Sequence, residues 1–144
     1  MKFRVKARQI PSRLATGAFI LNSGLHKRNA DEQTAAQLHG LTAGTYPVVK
    51  NLDPATFVKL VSTGEIALGA ALLLPIVPGL LAGAGLAAFS AGLLGLYLRT
   101  PGMREEGSLR PTPQGIAIAK DVWMLGAGLS LVVDALTDRP NKEA

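Results

Sequence analysis

Apolar residues fall along this chain in four blocks of helical rather than strand length, separated by polar segments that carry proline and glycine. The longest apolar stretch, "KLVSTGEIALGAALLLPIVPGLLAGAGLAAFSAGLLGLYL" from Lys59 to Leu98, is cut by "PIVPG", whose two prolines and glycine stop a helix and turn the chain back. The pattern predicts spans at about 11–26, 54–77, 79–98 and 116–136, with long connections over 27–53 and 99–115. From Gly79 to Leu98 twenty consecutive residues carry no charge. At about 1.5 Å per residue, a helix of that length covers about 30 Å, the thickness of a bilayer's hydrocarbon core. A soluble protein would need polar helices to wrap such a segment, and the chain lacks them. The fold class expected is all-α, an integral membrane four-helix bundle forming one domain over residues 1–144.

Local signals refine the boundaries. Asp53 is placed to cap the second span, and Pro54 suits the first helical position, where its missing amide donor matters least. The first span, "PSRLATGAFILNSGLH", is short unless Arg13 snorkels toward headgroups. It reads as a retained helix rather than a signal peptide, because Asn22 interrupts its apolar run and no small-residue cleavage site follows. In the first connection "ADEQTAAQLHGL" has the composition of a short interfacial helix, while 99–115 reads as an irregular loop.

Composition sharpens the membrane reading. Of the 144 residues 48% are hydrophobic and 17% charged, against about 25% charged in ordinary soluble domains. Without cysteine there are no disulfides, thiol nucleophiles or thiolate metal sites, and two histidines are too few for a histidine-based metal centre. The net charge of +5 does not imply nucleic acid, because no basic patch stands beside stacking aromatics. Instead Lys2, Arg4, Lys6, Arg8 and Arg13 crowd the start of the chain, as on a cytoplasmic flank. The expectation is a multi-pass protein of the cytoplasmic (inner) membrane with both termini in the cytoplasm and the two long connections outside.

Small residues recur through the third span at Gly79, Gly83, Ala88, Gly92 and Gly95. In lipid, close backbone approach through such residues gains dispersion contacts that leucine on leucine does not. Gly64, Ala67 and Ala71 in the second span, and Gly126 with Ala127 in the fourth, are the expected facing surfaces. Five polar residues from three of the spans fall in the outer half of the bilayer: Asn22, Lys59, Glu65, Lys120 and Asp121, whereas Asp134 lies too near the cytoplasmic end to join them. Counting from Pro54, Glu65 lies about 16 Å deep and Lys59 about 7 Å. Because lipid-facing charges are costly, Lys59 is expected to pair with Asp121. Glu65 is expected to be protonated or hydrogen-bonded to Asn22, Ser62 or Thr63, so glutamine should replace it and leucine should not. Three roles remain open for this cluster: a structural knot, a ligand or proton site, and contact with a partner subunit. Its neutral sum argues against an ion-selective pore. No nucleophile elbow, phosphate loop or metal-ligand box is present.

"RLATGAFILNSGLHK", "GEIALGAALLLPIVPGLLAGAGLAAF" and "AKDVWMLGAGLSLVVD" resemble the first, the second and third, and the fourth helices of the DoxX-like membrane proteins. The resemblance covers most of Arg13 to Asp134, although the 99–115 loop is longer and more charged than in a minimal member. It implies a four-helix membrane protein whose relatives include subunits of thiosulfate:quinone oxidoreductase and membrane partners of redox-defence enzymes, with quinone the only cofactor it brings into view. Glu65, Lys120 and Asp121 match polar positions of that family without a catalytic role. The expected function is a small non-catalytic accessory subunit of a larger membrane complex, redox- or quinone-linked, with other integral membrane proteins and the lipid bilayer as partners. An accessory subunit of an envelope or lipid-transport machine and a small proton-coupled transporter are the alternatives.

Overall fold

The computed structural model describes residues 5–138. Lys2 and Arg4 of the basic start lie outside the described residues. Six α-helices follow one another: α1 Ile10–Arg28, α2 Glu32–Thr45, α3 Pro54–Leu73, α4 Gly79–Arg99, α5 Ile116–Ala119 and α6 Asp121–Thr137. Short 3-10 turns occupy Ala7–Gln9 and Pro47–Asn51. Among the described residues three helical segments are long and apolar enough to cross a membrane: Pro54–Leu73, Gly79–Arg99, and Ile116–Thr137 taken across the one-residue break at Lys120. These point to a membrane-embedded protein. The first helix has the length but not the composition, because Arg13, Asn22, His26, Lys27 and Arg28 dilute its apolar face.

Helix starts follow side-chain caps. Asp31 accepts from the Thr34 amide at 2.7 Å, and Asp53 accepts from the Thr56 amide at 3.1 Å and from its hydroxyl at 2.7 Å. Each satisfies a donor that the first helical turn leaves free. The same donors hold both carboxyls below the usual aspartate range.

The helices pack as two tight antiparallel pairs, α1 with α3 and α4 with α6. Ile20, Leu72, Ala82, Leu86 and Leu131 form a core where the pairs meet. Glycines set the closeness within each pair. A Cβ on Gly69 would lie 2.7 Å from the Leu21 amide nitrogen, and one on Gly128 would lie 2.6 Å from that of Ala87. Of the facing residues that the sequence proposes, Ala127 packs against the core, while Gly64 and Gly126 face open space. The i, i+4 pattern alone could not choose between neighbouring small residues. Gly128→Ala must push α6 off α4 and should destabilise the bundle by about 1–3 kcal/mol. Gly126→Ala meets nothing and should be neutral or stabilising by up to ~1 kcal/mol through helix propensity. Equal unfolding midpoints for the two variants in detergent would disprove this packing.

The connection after α4 is not irregular. The Glu105 amide donates to Arg110 O at 2.8 Å, and the Thr112 amide to Met103 O at 3.0 Å, in a short hairpin around Gly107 (φ +68°). Arg104 folds back to donate to Leu98 O at 2.9 Å, satisfying a carbonyl in the last turn of α4.

Candidate functional site: an apolar cavity with a charged end

Between the two helix pairs, under α2, lies a cavity of about 450 Å3. Its walls are mostly apolar, with Ile20, Val61, Phe89 and Met124 among them, and Leu38, Leu41 and Thr42 of α2 form its roof. Lys27, Glu65 and Asp121 also line it, one each from α1, α3 and α6.

The roof is pinned on both sides. Ala35 packs with Phe57 and Val58 of α3, and the His39 and Phe57 rings meet edge to face at 5.7 Å. On the other side Tyr46, just beyond α2, donates its hydroxyl to Gly92 O at 2.7 Å. Gly95 makes that possible, since a Cβ there would lie 2.2 Å from the Tyr46 oxygen. The small residues of α4 thus have different surroundings. Gly79 lies against the Gln9 amide and Gly83 against Leu131 and Gly128. Ala88 and Gly92 face the cavity, and Gly95 receives Tyr46.

The ion pair at the cavity end joins Lys27 and Glu65. The Lys27 ammonium donates to both Glu65 carboxylate oxygens at 3.0 and 3.1 Å, and to Ser23 Oγ at 2.7 Å. Those contacts occupy its donors, and Glu65 is buried with a side-chain exposure of 4%. This overturns the expected pairing of Lys59 with Asp121. Lys59 and Asn22 are exposed on their helices and Lys120 is exposed at the break between α5 and α6, and only Glu65 and Asp121 of the five expected residues reach the cavity. Ser62 does not serve Glu65 either; its hydroxyl donates to Gly24 O at 2.7 Å, tying α3 to α1. Asp121 forms no ion pair or side-chain hydrogen bond among the described residues.

Arg13 is the other buried charge. It does not snorkel: at 2% exposure it is covered by the turn between α3 and α4. Its Nε donates to Leu72 O at 2.8 Å, Nη1 to Val77 O at 3.0 Å, and Nη2 to Ala71 O at 2.8 Å and Leu74 O at 3.0 Å. The last carbonyls of a helix have no partner within it, and the prolines of "PIVPG" supply no amide to them. A guanidinium fork fits that set of acceptors.

At the same end of the bundle Arg8 and Gln9 bind Asp134, and Lys6 and Arg8 bind Asp138. These carboxylates raise the Arg8 pKa, while Lys6 and Arg8 hold the Asp138 carboxyl below its ordinary range. Asp134 thus lies apart from the cavity, as its position in the sequence implies. Among the described residues no three His, Cys, Asp or Glu side chains gather as metal ligands would.

No protein-family model matches this chain, and no curated protein or solved structure does so either. The apolar pattern ends at His26 and predicts a loop at Lys27, but α1 runs two residues further, to Arg28. The signal available was the Ser23–Lys27 spacing of one helical turn.

Proposed function

We propose that this chain is a four-helix integral protein of the cytoplasmic membrane, with both termini in the cytoplasm, working as a small non-catalytic accessory subunit of a larger complex of DoxX-like, redox- or quinone-linked type. The observation that supports it most is the uncovered apolar face of the last span. Only 11% of its apolar window is buried within the bundle, and Trp123, Val133 and Leu136 stand out from it. Such a face needs lipid or another membrane helix against it. The first helix joins the bundle although it is the least apolar, because its buried charges are neutralised or hydrogen-bonded by α3. The Lys27–Glu65 pair also supports a structural role for Glu65 over proton transport, since its carboxylate already has a cation.

Two measurements test the reading. Single cysteines at Gln33 and Ser108 should both react with an impermeant thiol reagent on intact cells; labelling only after lysis would reverse the topology. Isolation in mild detergent should yield the chain bound to a redox enzyme. A transport ATPase in its place would shift the assignment to an envelope or lipid-transport machine, and a chain that runs alone would defeat the accessory role.

A further inference from the structure

We propose that the cavity under α2 is a binding site for a lipophilic cation, an apolar body carrying one positive charge, with Asp121 as its counter-ion. The cavity's volume of about 450 Å3 lies within the range of small-molecule pockets, about 300–1,000 Å3. Its apolar walls favour a ligand that brings hydrophobic surface with it.

Charge decides the sign of that ligand. Among the described residues three charged side chains line the cavity: Lys27, Glu65 and Asp121. Lys27 and Glu65 cancel, and Lys27 spends its hydrogen bonds on Glu65 and Ser23. An anionic ligand would have to break that pair to find a cation. Asp121 is the remaining charge of the lining, and its side chain has no ion pair or hydrogen bond among the described residues. The cavity therefore carries a net charge of −1 on a wall otherwise largely apolar. A carboxylate in such a setting is strengthened as a cation partner by poor screening. Tyr46 and Thr42, the other polar side chains near the roof, already donate to Gly92 O and Leu38 O. The site concerns the bundle itself and holds whichever complex the chain joins.

Tetraphenylphosphonium and tetraphenylborate make a decisive pair of probes, with the same shape and opposite charge. Equilibrium dialysis against the purified full chain in mild detergent should show one saturable tetraphenylphosphonium site per chain that tetraphenylborate does not displace. Asp121→Asn should weaken it ~tenfold or more, as losing one member of a desolvated charge pair does. Gly92→Leu provides a second variant. A Cβ at Gly92 meets nothing within 4 Å, so leucine should fill the cavity, leave Asp121 and the fold intact, and abolish binding. Equal affinity of wild type and Asp121→Asn, preference for the anion, or undiminished binding to a folded Gly92→Leu variant would each overturn the proposal. Absence of saturable binding to the wild type would do so as well.

Discussion

Arg13→Ala is expected to be the most damaging single substitution in this protein. The guanidinium is the hydrogen-bond donor to Ala71 O, Leu72 O, Leu74 O and Val77 O from outside α3 and its turn. Leu74 O keeps the Val77 amide at 3.2 Å, but leaving each of the other buried acceptors unpaired costs about 1–3 kcal/mol. Water reaching the emptied space would recover part of that, so a net loss of roughly 3–5 kcal/mol is the expectation. Arg13→Lys should regain less than half of it. An ammonium keeps the charge but lacks the flat fork that reaches acceptors on several sides. The measurement is equilibrium unfolding in mixed detergent micelles followed by helical circular dichroism. An alanine variant within about 1 kcal/mol of wild type would show that Arg13 contributes little, as exposed charges do.

Breaking the Lys27–Glu65 pair should have the next largest effect. Removing one member of a buried pair typically costs about 3–5 kcal/mol. Lys27 keeps 23% exposure, so its ammonium can partly escape to solvent, and a loss nearer 2–3 kcal/mol is expected for Glu65→Gln. The sequence alone led to the opposite expectation, that glutamine would be tolerated, because it supplied Glu65 with no cation. Lys27→Met combined with Glu65→Leu should recover much of the single losses, giving a coupling energy above about 1 kcal/mol. Strictly additive losses would mean that the two side chains act independently.

Those two residues show where sequence reasoning reached and where it stopped. The helical segments at 54–77, 79–98 and 116–136 overlap α3, α4 and α5–α6 closely, because uninterrupted apolar runs and the "PIVPG" stop are strong one-dimensional signals. The Asp53 cap with Pro54 behind it was equally local and equally legible. Partner choice was not. Glu65 has its cation 38 residues away on α1, and that depends on the antiparallel register of α1 against α3, which small-residue spacing does not fix. The roof was half legible: composition indicated a helix near Glu32–Thr45, but only the fold shows it docked on Phe57 and, through Tyr46 just beyond it, on Gly92. Arg13 could have been found by asking which donor serves the carbonyls before a proline-rich turn.

The pairing of α1 with α3 also bears on how the chain is made. Arg13 leaves the ribosome 58 to 64 residues before the carbonyls that receive it. At synthesis rates of about 5–20 residues per second, that is a wait of roughly 3–12 s. On the four-span reading proposed above, α1 would have to hold Arg13 alone in the bilayer at a cost of at least about 2.5–3.5 kcal/mol, so it is a poor candidate to settle there by itself. Its insertion is best completed when α3 and its turn emerge and cover the guanidinium. The first stable intermediate in the membrane is then a pair of helices that are not neighbours in the sequence, and the second pair assembles onto it.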